Sequence, residues 1–284
     1  MADVSSVGEV TGVMAPVWKL CCKKININGA KDREDNMIVT MFSGSKGGVG
    51  KTTIAISMSI VTALQHVPTL LVDTSMDGSA TGYLLGNNVE PPHLGDLDFV
   101  DGVSLRSVLR RVPIIEGDGV ELTIAVNGNQ KSLRNIRAVA DAIKRLNDFP
   151  MIVVDVPALA DREAVLRYYP LYEAADVIVA VAEPNTVSIR SAVMTFRGKH
   201  VVAALNCPRP YTPLFVDLYR KYMDIIHKNY GIPYVVVPYS KTIGLLGGDT
   251  IGHFGGSKLN IVKNAEPAYV QAITELVKLV LSKK

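Results

Sequence analysis

From Met37 onward the chain alternates two patterns of apolar residues. Short β-branched runs are followed by longer stretches in which apolar positions return every three or four residues. The first pattern marks strands buried on both faces, and the second marks helices packed along one stripe. Strands are predicted at 37–43, 69–73, 121–126, 151–155, 176–182, 200–205 and 234–237. Helices are predicted at 52–65, 104–111, 132–147, 161–169, 186–197, 213–229 and 266–282. Regular alternation of this kind predicts an α/β fold, a doubly wound and mostly parallel sheet with helices on both faces. Residues 1–35 stand outside the pattern and read as an N-terminal extension, with one domain over 36–284. Gly86 to Gly102, rich in Pro, Asp and Asn, reads as an irregular connection.

Composition narrows the class further. At 284 residues and 48% hydrophobic, the chain can build one large core. No run reaches the roughly 18 consecutive apolar residues of a membrane span. The opening Met1-Ala2-Asp3-Val4-Ser5-Ser6 lacks the basic-then-apolar layout of a secretory signal. Three cysteines, Cys21, Cys22 and Cys207, suit a reducing compartment, so a cytoplasmic location is expected. There is no C-x-x-C pair to hold a metal or a cluster. A net charge of +3 is too small to argue for nucleic acid alone.

The chemistry lies between the first strand and the first helix. Gly44 through Gly50-Lys51-Thr52 fits G-x-x-x-x-G-K-[ST], the phosphate-binding loop, in its required strand–loop–helix context. Glycines let the backbone approach an anion closely, and the N–H groups at the helix start favour negative charge. Lys51 is placed to reach terminal phosphates, and the Thr52 hydroxyl to ligate Mg²⁺. Gly47, Gly48, Val49, Gly50 and Thr53 complete the predicted cradle. A P-loop NTPase of three layers is the fold this motif predicts.

The run Lys46-Gly47-Gly48-Val49-Gly50-Lys51-Thr52-Thr53 carries a second lysine and resembles the deviant Walker A motif of ParA/MinD P-loop ATPases. The resemblance implies ATP and Mg²⁺ as ligands and a homodimer formed on ATP. It also implies that Lys46 crosses to the partner's phosphates, as a cation left unsatisfied in the monomer. Leu71-Val72-Asp73-Thr74-Ser75-Met76-Asp77-Gly78-Ser79-Ala80-Thr81 is similar to that family's first switch, with Asp73 expected to hold a Mg²⁺-bound water. The family's second switch acid is Ser75 here, and a hydroxyl cannot take a proton from water near neutral pH. Asp77 can take over if the loop bends, and slow hydrolysis is expected. Met151-Ile152-Val153-Val154-Asp155-Val156-Pro157 resembles the Walker B strand, with Asp155 facing the metal. Asn206 matches the asparagine that reads adenine, and Pro238 falls in the base-contacting loop.

The resemblance spans residues 37–282 and leaves the cellular task open between three classes. A ParA-like partition ATPase would bind DNA nonspecifically as the ATP dimer and answer to a ParB-like stimulating partner. Arg190, Arg197 and Lys199, with Arg106, Arg110 and Arg111 predicted on another helix, are the candidate DNA cations. A MinD-like protein would need a membrane-binding tail. The stripe Ile273, Leu276, Val277, Val280 and Leu281 reads instead as a helix packed on the sheet. A nucleotide-binding scaffold of a secretion or conjugation assembly, with little hydrolysis, is the third class.

Overall fold

The computed structural model describes residues 36–86, 89–97, 103–114, 119–128, 133–196, 199–244 and 265–283. The extension 1–35 lies outside the described residues, as does Arg197. Eight strands form one sheet: β1 (Met37–Phe42), β2 (Thr69–Asp73), β3 (Leu109–Pro113), β4 (Glu121–Ala125), β5 (Met151–Asp155), β6 (Val177–Ala182), β7 (Val201–Asn206) and β8 (Tyr234–Val237). Their order is β3-β4-β2-β5-β1-β6-β7-β8. Every neighbouring pair is parallel except β3 with β4. Strands β1, β2, β5, β6 and β7 are buried at every position, as their unbroken apolar runs require.

The helices are α1 (Lys51–Ala63), α2 (Ser79–Leu85), α3 (Val103–Ser107), α4 (Ile136–Lys144), α5 (Arg162–Ala174), α6 (Thr186–Val193), α7 (Pro213–Tyr230), α8 (Lys241–Gly244) and α9 (Pro267–Leu281). Helix α1 packs on β1, β2 and β5 with α9 beside it, while α5 lies on β1 against α4 and α6 lies on β6 and β7. The chain leaves β1 toward β5 and β2 and later returns to β6 on its other side. Such a reversal opens a crevice at the carboxyl ends of the central strands.

Three differences from the sequence prediction are the most consequential. The predicted helix 104–111 stops at Ser107, and Leu109–Pro113 instead pairs antiparallel with β4. Arg110 and Arg111 therefore sit on an edge strand, not on a helix with Arg106. Helix α5 runs through Pro170 to Ala174 rather than ending at 169. Burial outweighs the missing hydrogen bond: Leu171 and Tyr172 are inside the core, and the Tyr172 hydroxyl donates to the Met41 carbonyl at 3.2 Å. Helix α2 is not predicted by the apolar pattern and follows Gly78, which has φ +64°.

The last helix is structural. Ile273, Leu276, Val277 and Val280 are each 0% exposed, so the stripe is consumed by α1, β7 and β8. Leu276→Ala is expected to lower the unfolding free energy by about 2–5 kcal/mol, read from the urea midpoint at unchanged m-value.

Candidate nucleotide site

Glycines with positive φ shape the loop between β1 and α1: Gly44 at +66°, Gly48 at +74° and Gly50 at +86°. A Cβ at Gly50 would collide with the Asn206 amide, and one at Gly44 with the Ser191 hydroxyl. The loop can close this way only with glycine at both positions. It ends at the left-handed Gly50, from which α1 begins directly with Lys51. The carboxyl ends of β5, β7 and β8 face it across a cleft of 710 Å³.

Most of the predicted residues meet there. Lys46 through Thr53, Ser75, Asp77, Asp155, Asn206 and Pro238 line this cleft. Lys51 is 9% exposed, and its ammonium donates to the Val156 carbonyl and, at 3.4 Å, to Asp155 Oδ1. Asp155 Oδ2 is buried with no hydrogen-bond partner. Register sets Asp73 beside Asp155 across β2 and β5. Burial, and secondarily the Asp155 charge, push the Asp73 carboxyl up to about 6, against the opposing pull of Ser75 and Thr81.

Lys46 behaves differently from the expectation of an unsatisfied cation. Its Nζ lies 2.7 Å from Glu183 Oε2, with the lysine side chain 46% exposed and the glutamate 8%. Arg209 flanks the same carboxylate at 3.8 Å. In the sequence Glu183 reads only as a strand terminator. Its position at the end of an apolar strand, like that of Asp155, is the available signal. Asn206 donates to the Val49 carbonyl at 2.7 Å, and Tyr269 of α9 closes one wall through a hydroxyl contact with Ser57 at 2.9 Å.

The predicted DNA cations lie elsewhere. Arg190 is exposed on α6 and donates to the Tyr222 hydroxyl at 3.2 Å, and Lys199 is exposed just beyond that helix. Arg106 pairs with Asp148 at 2.6 Å and Arg111 with Glu121 at 3.6 Å, near the opposite edge of the sheet.

A glycine cradle at a helix start, a buried lysine and a carboxylate oxygen lacking any donor together define a site for a phosphorylated ligand and its cation. The residues fit such a pair: the orphaned Asp155 Oδ2 suits a cation or its water, and the loop's shape leaves no room for a Cβ at Gly50. A phosphate-loop nucleotide-binding protein is the class this fold and site define. Residues 40–244 match the model of the CobQ/CobB/MinD/ParA nucleotide binding domain, and the chain belongs to that family. A nucleotide with Mg²⁺ is the ligand pair that membership implies.

The chain is 28% identical over 161 residues to an uncharacterized ATP-binding protein of Methanocaldococcus jannaschii; the match covers 55% of this chain and 57% of that one. The matched region thus spans little more than half the length of this curated relative. Among solved structures the chain is similar in fold to the cell division ATPase MinD of Pyrococcus furiosus, with TM-score 0.59, 17% identity, and coverage of 87% and 99% of the two chains. It is also similar to a Cyanothece McdA variant in complex with ATP, with TM-score 0.67, 15% identity, and coverage of 89% and 98%. A Chlorobium tepidum ParA family ATPase gives TM-score 0.59 at 19% identity over 87% and 98%. Among the described residues no helix is long and apolar enough to cross a membrane.

Proposed function

We propose that the chain is an ATP-driven dimerising switch of the ParA type, whose ATP dimer binds DNA without sequence preference. One observation carries the reading: two lysines serve the same cleft at different depths. Lys51 is buried at its floor, while Lys46 is half-exposed at its mouth, where a second subunit can be reached. In this reading Thr52 and Asp155 hold Mg²⁺, which neutralises charge on the phosphates. Lys51 exchanges the Val156 carbonyl for a phosphate oxygen. Lys46 leaves Glu183 for the partner's nucleotide. Asp77 lines the cleft, with its carboxylate accepting from the Ser79 hydroxyl at 2.7 Å, and it is the acid available to orient water.

Hydrolysis is slow in this reading because Ser75 supplies no acid. The scaffold alternative, with little hydrolysis, draws on the same substitution, and phosphate release in a single turnover separates the two. A membrane-bound, MinD-like role finds no support in α9, whose apolar stripe is already buried.

For DNA the supporting residues are Arg190 and Lys199, exposed and without a carboxylate partner in their hydrogen bonds. Arg106 and Arg111 are offset by acids and do not join them. Fluorescence polarisation with a nonspecific duplex is expected to show binding only with ATP. Arg190→Ala and Lys199→Ala should each flatten the log–log salt dependence by about 0.9 for every DNA phosphate left without its cation. Binding that ignores ATP or salt would refute the DNA assignment.

A further inference from the structure

The carboxylate of Asp73 is completely occupied by its own loop. Oδ1 accepts from the Ser75 backbone N–H at 3.1 Å and the Ser75 hydroxyl at 2.5 Å. Oδ2 accepts from the Thr81 N–H at 2.7 Å and the Thr81 hydroxyl at 2.8 Å. A carboxylate offers about four lone-pair positions, so these donors fill it. Asp73 is 0% exposed and stands behind the cleft rather than on its wall. Its neighbour Asp155 contrasts with it, having one oxygen with no partner.

A second layer fixes the donors. Asn127, 1% exposed at the end of β4, donates its backbone N–H to the Thr81 hydroxyl at 2.9 Å and its amide to the Ser75 carbonyl at 2.5 Å. Its Oδ1 accepts from the Gly95 N–H at 3.0 Å, which ties in the turn at residues 94–96. The Ser75 hydroxyl also accepts from the Ser79 N–H at 2.8 Å, at the start of α2. That hydroxyl must therefore donate and accept at once. An aspartate at 75 could accept from Ser79 but would set its charge against Asp73 in a buried site.

We propose that Asp73 is the anchor of the switch loop 74–81 and not a partner of the metal. Ser75, Thr81 and Asn127 are its positioning residues, and Asp155 is left as the carboxylate that faces Mg²⁺. The metal half rests on the proposed ATP switch; the anchor half stands on the nucleotide-free protein. The serine that departs from the family pattern is thus a part of this anchor, and restoring the family acid would break it.

Two measurements on the full chain test this. In nucleotide-free protein, Asp73→Asn and Thr81→Val should speed amide exchange at 75–81 by about 10-fold, while Thr81→Ser, which keeps the donor, should exchange like wild type. Mg²⁺ titration with a nonhydrolysable ATP analogue should show Asp155→Asn weakened by about 10-fold or more, and Asp73→Asn close to wild type. Ser75→Asp should speed loop exchange and leave hydrolysis no faster. The proposal is overturned if Asp73→Asn loses Mg²⁺ affinity as Asp155→Asn does. It is equally overturned if Ser75→Asp raises turnover with the loop still protected, or if Thr81→Val leaves exchange unchanged. Should Asp73→Asn not fold, the two Thr81 variants decide the anchor. A wild-type chain that takes up no nucleotide would sink the ATP switch, and the exchange measurements alone would then decide the anchor.

Discussion

Lys46→Ala is expected to abolish ATP-dependent self-association in sedimentation velocity with a nonhydrolysable analogue, while nucleotide uptake by the monomer persists. The expectation follows from placement. Lys46 is at the mouth of the cleft, and Lys51 already serves the floor. A cation supplied from a second subunit contributes about 10³–10⁵ in phosphoryl-transfer rate, so turnover should fall by a comparable factor. Glu183 works in the opposite direction, holding Lys46 back. Its pair with Lys46 is half-exposed on the lysine side, and such pairs contribute about 1 kcal/mol or less. Glu183→Gln should therefore shift the dimerisation midpoint only a few-fold, toward the dimer. Equal dimerisation by wild type and Lys46→Ala would refute the crossing lysine.

Lys51→Met is expected to cost the protein its nucleotide and about 3–5 kcal/mol of stability when empty, because it strips a buried carboxylate of the one donor it has among the described residues. Asp155 is 1% exposed, and among the described residues its side chain receives no other hydrogen bond than the one from Lys51. Adding Asp155→Asn should restore much of that stability by removing the stranded charge, a coupling that a double-mutant cycle in urea would measure. Independent, additive effects would contradict the pairing.

Much of the site is legible in the sequence because its chemistry is local. A glycine loop between a strand and a helix needs only consecutive residues, and so does an acid closing an apolar strand. Asp155, Lys51 and the P-loop glycines are all visible in that way. What escapes depends on contacts between distant segments. Ser75 looks like a weakened catalytic position because its bonds to Asp73 and Ser79 depend on how the loop turns, and Asn127, which holds its carbonyl, arrives only when β4 packs beside β2. Asn127 carries no signal beyond a polar residue after a strand. The pairing of Lys46 is equally hidden, since nothing in the sequence sets residue 183 beside residue 46. In the fold, tertiary packing decides the differences. Leu109–Pro113 is drawn into the sheet by β4, and α5 is held past Pro170 by Tyr172 in the core.

The tie between Asn206 and the Val49 carbonyl has a consequence for which purine enters. One amide hydrogen is already spent on the loop, which leaves the side-chain oxygen and the second amide hydrogen for a ligand. With the amide held in this orientation, that pair matches the amino hydrogen and neighbouring ring nitrogen of adenine, whereas guanine presents its keto oxygen and ring N–H in the reverse order. Discrimination between ATP and GTP would then be enforced by the very loop that grips their phosphates, and loosening that grip should blur the choice of base.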